Sequence, residues 1–494
     1  MLQFHTIVIN FTGGIVSPGY LKEVLTLAGK AGVQDVHFGL RQQLIMDIPA
    51  KRYNSFAEAC REKDIVFYSM QKAVPNIVSS YPAIDIFVQE SWLKGGVYKD
   101  VFDTFQYTPR LKTNICDSTQ SFAPFFEGHL NWVSSSRTHF WYLYIRFPGT
   151  PVRYCWPVWV YTNDLAMLSQ QIEDAILQKG ELYQSDATQL FTDINATIAY
   201  TSAPIEQELS LPGFSVPYYE GFNRSGDHYW LGIYRRDELY PLSFMLDVCT
   251  VCLETRIGEL YTTPWKSIII KGVDHSQRHL WDYILGKYRI NVRHAANELN
   301  WQVEDHTEEG LALKRYLIRQ FDKEDVRTYG LCFAIQTRAR SSMFGSVLIR
   351  KQQNKNPHRL RALDRYDILY TKDFNPNAME YILFRENLEK SFIGTYLVSL
   401  CKLFYEQQGT VDALQQFTHA QQVPSPIHTA ANKMLHQCTR CYTVYDEQYG
   451  DEDNCIPAGT LFEQLPAEYT CALCGSGKEV FTAIDEIELA KSFL

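Results

Sequence analysis

The sequence predicts an α+β protein, with a body of two similar halves in a pseudo-two-fold arrangement and a small metal-bound β domain at the C-terminus. Three observations support this fold prediction. A strand–helix–strand–turn–strand pattern near the N-terminus recurs in the middle of the chain. Strand-like segments and a helical segment follow each copy. Five of the 12 cysteines lie within residues 438–474, where paired C-x-x-C motifs indicate metal binding before disulfides.

The composition is that of a globular protein. The chain has 494 residues, of which 46% are hydrophobic and 21% charged, and its length suggests about three domains. The net charge of −9 argues against nucleic acid as a partner. Because no run of about 18 apolar residues occurs and the N-terminus lacks a signal-peptide pattern, we expect a soluble, cytoplasmic protein without a membrane partner.

The first half of the body is assigned to residues 1–220. It begins with a predicted strand at residues 6–9. An amphipathic helix follows, for which Ser17 is the predicted N-cap and Pro18 the first residue. Residues 36–48 are typical of two strands joined by a turn.

The second half, residues 221–414, repeats this order. A strand is predicted at residues 230–234 and an apolar helix at residues 242–252. The next pair of strands, residues 260–272, aligns with residues 36–48 without a gap. The remaining strands of both halves are predicted at residues 111–115, 129–133, 140–147, 331–336, 344–350 and 365–370, and helices at residues 162–179 and 380–406.

A linker and a terminal domain follow the body. Residues 415–434 are polar and contain Pro424 and Pro426, which predicts a linker. The terminal domain is assigned to residues 435–484. Residues 438–494 hold 11 acidic and three basic side chains, so nearly all of the net negative charge lies at this end. A separate module is therefore expected.

The strongest functional signal is a pair of C-x-x-C motifs. Cys438 and Cys441 form the first, and Cys471 and Cys474 the second. Each motif can place two thiolates on one side of a tight turn, and two such turns make a tetrahedral four-sulfur site. This ligand set suits zinc or iron, and the spacing does not choose between a structural zinc ribbon and an iron centre.

The residues around these motifs resemble the rubredoxin family over nearly the whole segment. The matching features are Tyr445-Asp446, the acidic turn 450–454, residues 457–460, Phe462, Leu465-Pro466, Tyr469, residues 474–478 and Phe481. Tyr442 and Ala472 stand where the family usually has Gly and Pro, and this bears on the reduction potential more than on the metal.

The resemblance implies both a ligand set and a function. Cys438, Cys441, Cys471 and Cys474 would ligate one iron ion, which exchanges single electrons as Fe3+/Fe2+ with a soluble redox partner protein. Four of the matching aromatic side chains would form a small core that keeps water from the thiolates: Tyr445, Phe462, Tyr469 and Phe481.

The body resembles the ferredoxin-like half-domains of the nitrite/sulfite reductase family. The motif Gly13-Gly14 with Ser17-Pro18, and the segment 38–43, carry the resemblance in the first 80 or so residues. Residues 75–80 resemble the Asn-containing loop that follows, and residues 291–294 are a looser counterpart in the second half.

This second resemblance implies a tetrapyrrole of the sirohaem type, bound through its carboxylates. The candidate cofactor-binding residues are Arg41, Asn76, Lys266 and Arg293. Arg41 and Lys266 are also consistent with charges that protect strand edges from aggregation.

The catalytic signature of that family is not found. Its Fe4S4 cluster needs two cysteines five apart and two three apart, whereas Cys249 and Cys252 sit in an apolar helical pattern typical of a core. The usual reduction of sulfite or nitrite is therefore not expected, and whether the chain is an enzyme, for example an oxidoreductase component, stays open.

A basic segment suggests how the two parts could interact. Residues 338–372 hold nine basic and two acidic side chains. They could form a solvated loop, or a surface on which the acidic terminal domain docks intramolecularly. The leading hypothesis is an electron-transfer protein. The alternative is a partner-binding or assembly platform with a structural or redox-sensing appendage.

Overall fold

The structure is a computed structural model that divides into two compact units, Met1–Gln408 and Gly409–Leu494. It describes residues 3–87, 91–150, 152–216, 219–292, 297–339, 343–353, 364–420, 434–441, 443–451, 454 and 456–485. Within these ranges, no helix is long and apolar enough to cross a membrane.

The first half of the body combines helices with strands. In chain order its elements are β1 (Phe4–Asn10), β2 (Ile15–Val16), α1 (Pro18–Lys30), β3 (Asp35–Phe38), β4 (Gln43–Pro49), α2 (Tyr53–Glu62), β5 (Tyr68–Ser69), β6 (Val78–Ser79), α3 (Gly95–Thr104), β7 (Thr113–Cys116), β8 (Leu130–Ser134), β9 (Phe140–Arg146), β10 (Arg153–Cys155), β11 (Val158–Tyr161), α4 (Leu165–Ser185), α5 (Ala187–Thr197) and β12 (Ser202–Pro204). Helix α1 begins at Pro18 because the Ser17 hydroxyl accepts a hydrogen bond from the Tyr20 N–H at 3.2 Å.

The second half repeats most of this order, after one additional strand at its start. Its elements are β13 (Gly221–Ser225), β14 (His228–Ile233), β15 (Tyr240–Pro241), α6 (Leu242–Glu254), β16 (Leu260–Thr262), β17 (Ile268–Asp274), α7 (Arg278–Lys287), β18 (Trp301–Val303), α8 (Glu308–Lys323), β19 (Phe333–Gln336), β20 (Val347–Lys351), β21 (Tyr366–Thr371), β22 (Tyr381–Leu388) and α9 (Lys390–Ala420).

One predicted helix is partly wrong. Of the segment 380–406, residues 381–388 form strand β22, which pairs antiparallel with β21 through Thr371 and Tyr381. The aromatic and β-branched start of this segment favours a strand. Helix α9 begins only at Lys390 and continues to Ala420, so residues 415–420 of the predicted linker are helical.

The two ferredoxin-like sheets exchange edge strands. The sheet of the first half has the order β15-β3-β4-β1-β5, and that of the second half β2-β16-β17-β14-β13. Val16 of the first half pairs with Leu260, and Tyr240 of the second half pairs with Val36. Helices α1 and α6 pack together, and one hydrophobic core serves both sheets. The pseudo-two-fold arrangement predicted from the sequence is confirmed here.

Each half also has a second sheet. In the first half β6, β7 and β8 are parallel, and β9 joins β8 antiparallel. In the second half β18, β19 and β20 are parallel, and β21 joins β20 antiparallel. The two halves therefore share strand direction as well as strand order in these sheets.

The second compact unit contains a small antiparallel sheet. Its strands are β23 (Met434–Cys438), β24 (Val444–Tyr445) and β25 (Phe481–Asp485), in the order β24-β23-β25. The buried side chains of Tyr445, Phe462, Leu465 and Tyr469 form its core, with Phe481 packed against them. The predicted aromatic core is confirmed.

Candidate metal centre

Two similar turns position the four cysteines of the second unit. Cys438 ends strand β23, and its N–H donates to the Thr443 carbonyl at 2.8 Å. In the second turn the Cys471 N–H donates to the Ser476 carbonyl, also at 2.8 Å. Gly475 adopts a φ of +67°, a left-handed conformation that glycine accepts without strain. Each turn thus presents two sulfurs to the other turn.

The four sulfurs converge on one point. The Sγ atoms of Cys438 and Cys474 are 3.7 Å apart, and those of Cys441 and Cys471 are 3.4 Å apart. All four lie within 4.8 Å of one another. In a tetrahedron with metal–sulfur bonds of about 2.3 Å, the sulfurs would be about 3.8 Å apart. The donor set therefore fits a single tetrahedral metal ion.

The sulfurs differ in exposure and in acidity. Cys438 and Cys471 are buried, whereas Cys441 is half-buried and Cys474 is exposed. A hydrogen bond from the Ser476 hydroxyl to its sulfur lowers the pKa of Cys474 to about 6. The Thr443 hydroxyl likewise lowers the pKa of Cys441, while burial raises the pKa of Cys471 to about 11. Metal binding requires all four thiols to be deprotonated.

An aromatic cluster forms the core of the domain that holds the four cysteines. The ring centroid of Tyr469 lies 5.8 Å from that of Tyr445 and 5.9 Å from that of Phe481. His436 stacks on Phe462 with a centroid distance of 3.9 Å. The Tyr445 hydroxyl donates to the Thr460 carbonyl at 2.8 Å. In the same domain Cys438 and Cys471 are buried, whereas the other two sulfurs lie nearer the surface.

In the body, Arg41 and Asn76 lie together but bind protein groups. Arg41 Nη2 donates to the carbonyls of Asn76 at 2.6 Å and Thr113 at 3.0 Å. Asn76 Nδ2 donates to the carbonyl of Phe11 at 2.7 Å and to that of Arg41 at 2.9 Å. Burial lowers the pKa of Arg41 to about 10. Both side chains hold the turn after β3 against the rest of the first half.

Lys266 is likewise part of an ionic network. Its Nζ lies 2.6 Å from Glu238 Oε2 and 3.4 Å from Asp305 Oδ1, and its side chain is 5% exposed. Glu238 also pairs with Lys314 at 3.3 Å. Although burial opposes it, the two lysines hold the pKa of Glu238 below its usual range. Arg293 lies outside the described residues.

A separate cavity in the body is lined by basic side chains. It has a volume of about 780 Å³, and its lining includes Lys112, His129, Arg146 and Arg153, with Glu380 as an acidic neighbour. Arg146 donates to the carbonyls of residues 127 and 128, and Arg153 Nη2 donates to that of residue 378. Neither Arg41 nor Lys266 lines this cavity.

The basic segment 338–372 is partly described. Arg350 pairs with Asp367 at 3.1 Å, and Lys351 with Asp364 at 2.7 Å. Residues 340–342 and 354–363 lie outside the described residues. Docking of the acidic domain on this segment stays a prediction.

Comparison with known proteins identifies the second unit. A family model described as rubredoxin matches residues 435–481. Over 48 residues the chain is 48% identical to Rubredoxin-2 of Chlorobaculum tepidum, an alignment that covers 92% of that protein and 10% of this chain. Through this segment the chain belongs to the rubredoxin family.

A longer relative shares the same segment. Over 56 residues, 11% of this chain, the rubredoxin domain is 45% identical to the high molecular weight rubredoxin of Moorella thermoacetica. The chain spans 24% of the length of that relative.

The body has a structural neighbour outside the rubredoxins. The NirA protein of Mycobacterium tuberculosis has a similar fold, with a TM-score of 0.58 and 80% of each chain covered. Sequence identity is 11%, so the likeness concerns the fold alone. It confirms the predicted fold class of the body, α+β, and the rubredoxin match confirms the small domain that follows it.

The sequence interpretation missed two side chains of the rubredoxin domain. Thr443 and Ser476 each lie two positions after the second cysteine of a C-x-x-C motif, and their hydroxyls contact the sulfurs of Cys441 and Cys474. The sequence could have indicated them, because a hydroxyl residue occurs at the same position after both C-x-x-C motifs. In the body, the signal for the basic cavity was weak, because its cations are scattered along the chain.

Proposed function

We propose that the chain is an electron-transfer protein that exchanges single electrons through a mononuclear iron in its rubredoxin domain. The observation that supports this most directly is the convergence of four cysteine sulfurs within 4.8 Å inside that domain. When bound there, iron alternates between Fe3+ and Fe2+ and so takes up or releases one electron.

The protein residues explain why electron transfer suits this site better than substrate chemistry. Four cysteines fill all the positions of a tetrahedral ion, so no position is open to a substrate. The buried Cys438 and Cys471 would fix the ion, while Cys474 is exposed beside Leu473, a residue that is 71% exposed. An exposed sulfur next to an apolar surface suits brief contact with a soluble redox partner protein.

The test is the metal content and visible spectrum of the full chain. We expect about one iron per chain and thiolate-to-iron absorption that a mild reductant bleaches. Cys471→Ser should abolish that absorption, whereas Cys155→Ser, at an exposed free cysteine of the body, should keep it. Equal iron content and absorption in both variants would contradict the proposed ligand set.

We also propose that the body binds a carboxylate-rich tetrapyrrole, the sirohaem type included. The support is the basic cavity of about 780 Å³, together with the likeness of the body to NirA. The ligands suggested by the sequence, Arg41 and Lys266, do not line this cavity. Lys112 and Arg153 would instead pair with the carboxylates.

Titration of the full chain with uroporphyrin, a carboxylate-rich porphyrin, tests this second proposal. Lys112→Gln and Arg153→Gln should each weaken binding about tenfold, which is about 1.4 kcal/mol. Lys30→Gln removes an exposed cation at the end of α1 and should leave binding unchanged. Absence of binding, or an equal effect of all three substitutions, would refute a specific site.

A further inference from the structure

A hydroxyl group lies beside each of the two more exposed sulfurs of the rubredoxin domain. Thr443 Oγ1 is 3.2 Å from Cys441 Sγ, and Ser476 Oγ is 3.3 Å from Cys474 Sγ. Cys438 and Cys471, the first cysteine of each motif, are buried instead. The arrangement is the same in both turns, because each hydroxyl residue follows its cysteine by two positions.

The backbone fixes both hydroxyl residues in place. The Thr443 carbonyl accepts from the Cys438 N–H, and the Ser476 carbonyl accepts from the Cys471 N–H, both at 2.8 Å. Among the described residues, neither hydroxyl contacts a second hydrogen-bond partner. By contrast, the Thr439 hydroxyl inside the first motif donates to the Val480 carbonyl at 2.9 Å.

The direction of these hydrogen bonds follows from the ligand chemistry. A cysteine bound to a metal is a thiolate and has no proton, so the sulfur must accept and the hydroxyl must donate. A donor stabilises negative charge on sulfur. The thiolates carry more negative charge when the site holds one additional electron, so the donor stabilises the reduced state more than the oxidised state.

We propose that the hydroxyls of Thr443 and Ser476 donate hydrogen bonds to the two exposed thiolates and thereby raise the reduction potential of the centre. This inference depends on the proposed iron site. It makes Thr443 and Ser476 positioning residues for electron transfer, since they act through Cys441 and Cys474. Because these two sulfurs lie nearest the surface, fixed donors there replace water as their partner.

The test is a spectroelectrochemical titration of the iron-loaded full chain. Thr443→Val and Ser476→Ala remove one hydroxyl each with little change of shape. Each should lower the ratio of reduced to oxidised protein at a given potential about threefold to tenfold. For one electron, a tenfold change in this ratio corresponds to a shift of about 59 mV in the reduction potential. Thr443→Ser and Ser476→Thr keep the hydroxyl and should restore the potential. Thr439→Val, the matched control, should leave it unchanged.

The absorption spectrum supplies a second measurement. Without its donor, a thiolate holds its electrons less tightly, so the thiolate-to-iron absorption should move to longer wavelength in Thr443→Val and Ser476→Ala. Unchanged potentials and spectra in these variants, with iron retained, would overturn the inference but leave the iron site standing. An equal shift in Thr439→Val would overturn it too. Absence of any iron chromophore in the unsubstituted chain would overturn both proposals.

Discussion

His129 shows how the wall of the basic cavity keeps an imidazole neutral. Its Nδ1 accepts a hydrogen bond from the Lys112 N–H at 3.1 Å, which requires that this nitrogen carry no proton. Burial lowers the pKa of His129 to about 3, and the nearby cations Arg146, Lys112 and Arg41 contribute. His129 is therefore a neutral hydrogen-bonding group at physiological pH, and the cavity's positive charge comes from its lysine and arginines.

This depressed pKa predicts how stability depends on pH. Between the ordinary pKa of about 6.5 and the folded-state pKa of about 3, the unfolded chain binds a proton that the folded chain does not, so stability falls as pH falls. The loss should be on the order of 2 kcal/mol, less than the full shift implies, because His129 is only partly buried.

His129→Asn tests this prediction, since the Asn oxygen can still accept from the Lys112 N–H. Urea unfolding of this variant across the same pH range should show a flatter dependence than that of the unsubstituted chain. His279→Asn, at an exposed site on α7, is the control. Parallel curves for the unsubstituted chain and His129→Asn would contradict the prediction.

The sequence predicted some single residues well and others poorly. The four cysteines could be found because their spacing is set by a local turn. The cofactor-binding role expected of Arg41 and Lys266 stays a prediction, and the sequence did not reveal their protein partners. The carboxylates that hold Lys266 come from Glu238 and Asp305, and only the folded chain brings them together.

At the scale of secondary structure, local sequence patterns predicted the main elements, whereas long-range pairing determined which strands lie at the edges of the sheets. The ungapped alignment of residues 36–48 with 260–272 predicted the paired strands of both halves, and all four strands are present. The exchanged strands β2 and β15 were not predicted. Each has two residues, too few for any periodicity, and each pairs with a strand of the other half.

Strand β22 shows the same limit. Its apolar residues are compatible with a helix when read alone. Pairing with β21 makes it the edge of a five-stranded sheet, and it contains register shifts that no local pattern reveals. The buried side chains of that sheet pack in one core with Leu397 and Leu400 of helix α9.

At the scale of the whole molecule, charge and cysteine content predicted the division into a body and a small terminal domain. The body has extensive hydrophobic cores, whereas the core that the described residues of the rubredoxin domain form has four buried side chains with two others packed against them. A domain this small needs its metal to fold. Because the body has hydrophobic cores of its own, it should remain folded when the metal is lost.

Cys471→Ser tests this independence. Amide hydrogen exchange should increase throughout residues 434–485 and stay unchanged in the body, and the thermal unfolding of the body should keep its midpoint. Cys155→Ser should leave both parts unaltered. Faster exchange in β4 or β17, the central strands of the ferredoxin-like sheets, would contradict the division.

The central claim is that the four sulfurs hold one iron that carries single electrons. A potentiometric titration of full-length protein purified from its native host tests it most directly, with metal analysis on the same sample. We predict about one iron per chain and a reversible bleaching of the thiolate-to-iron absorption that follows a one-electron curve, about 59 mV per tenfold change in ratio. Zinc in the site, or iron that neither gains nor loses an electron, would contradict the account.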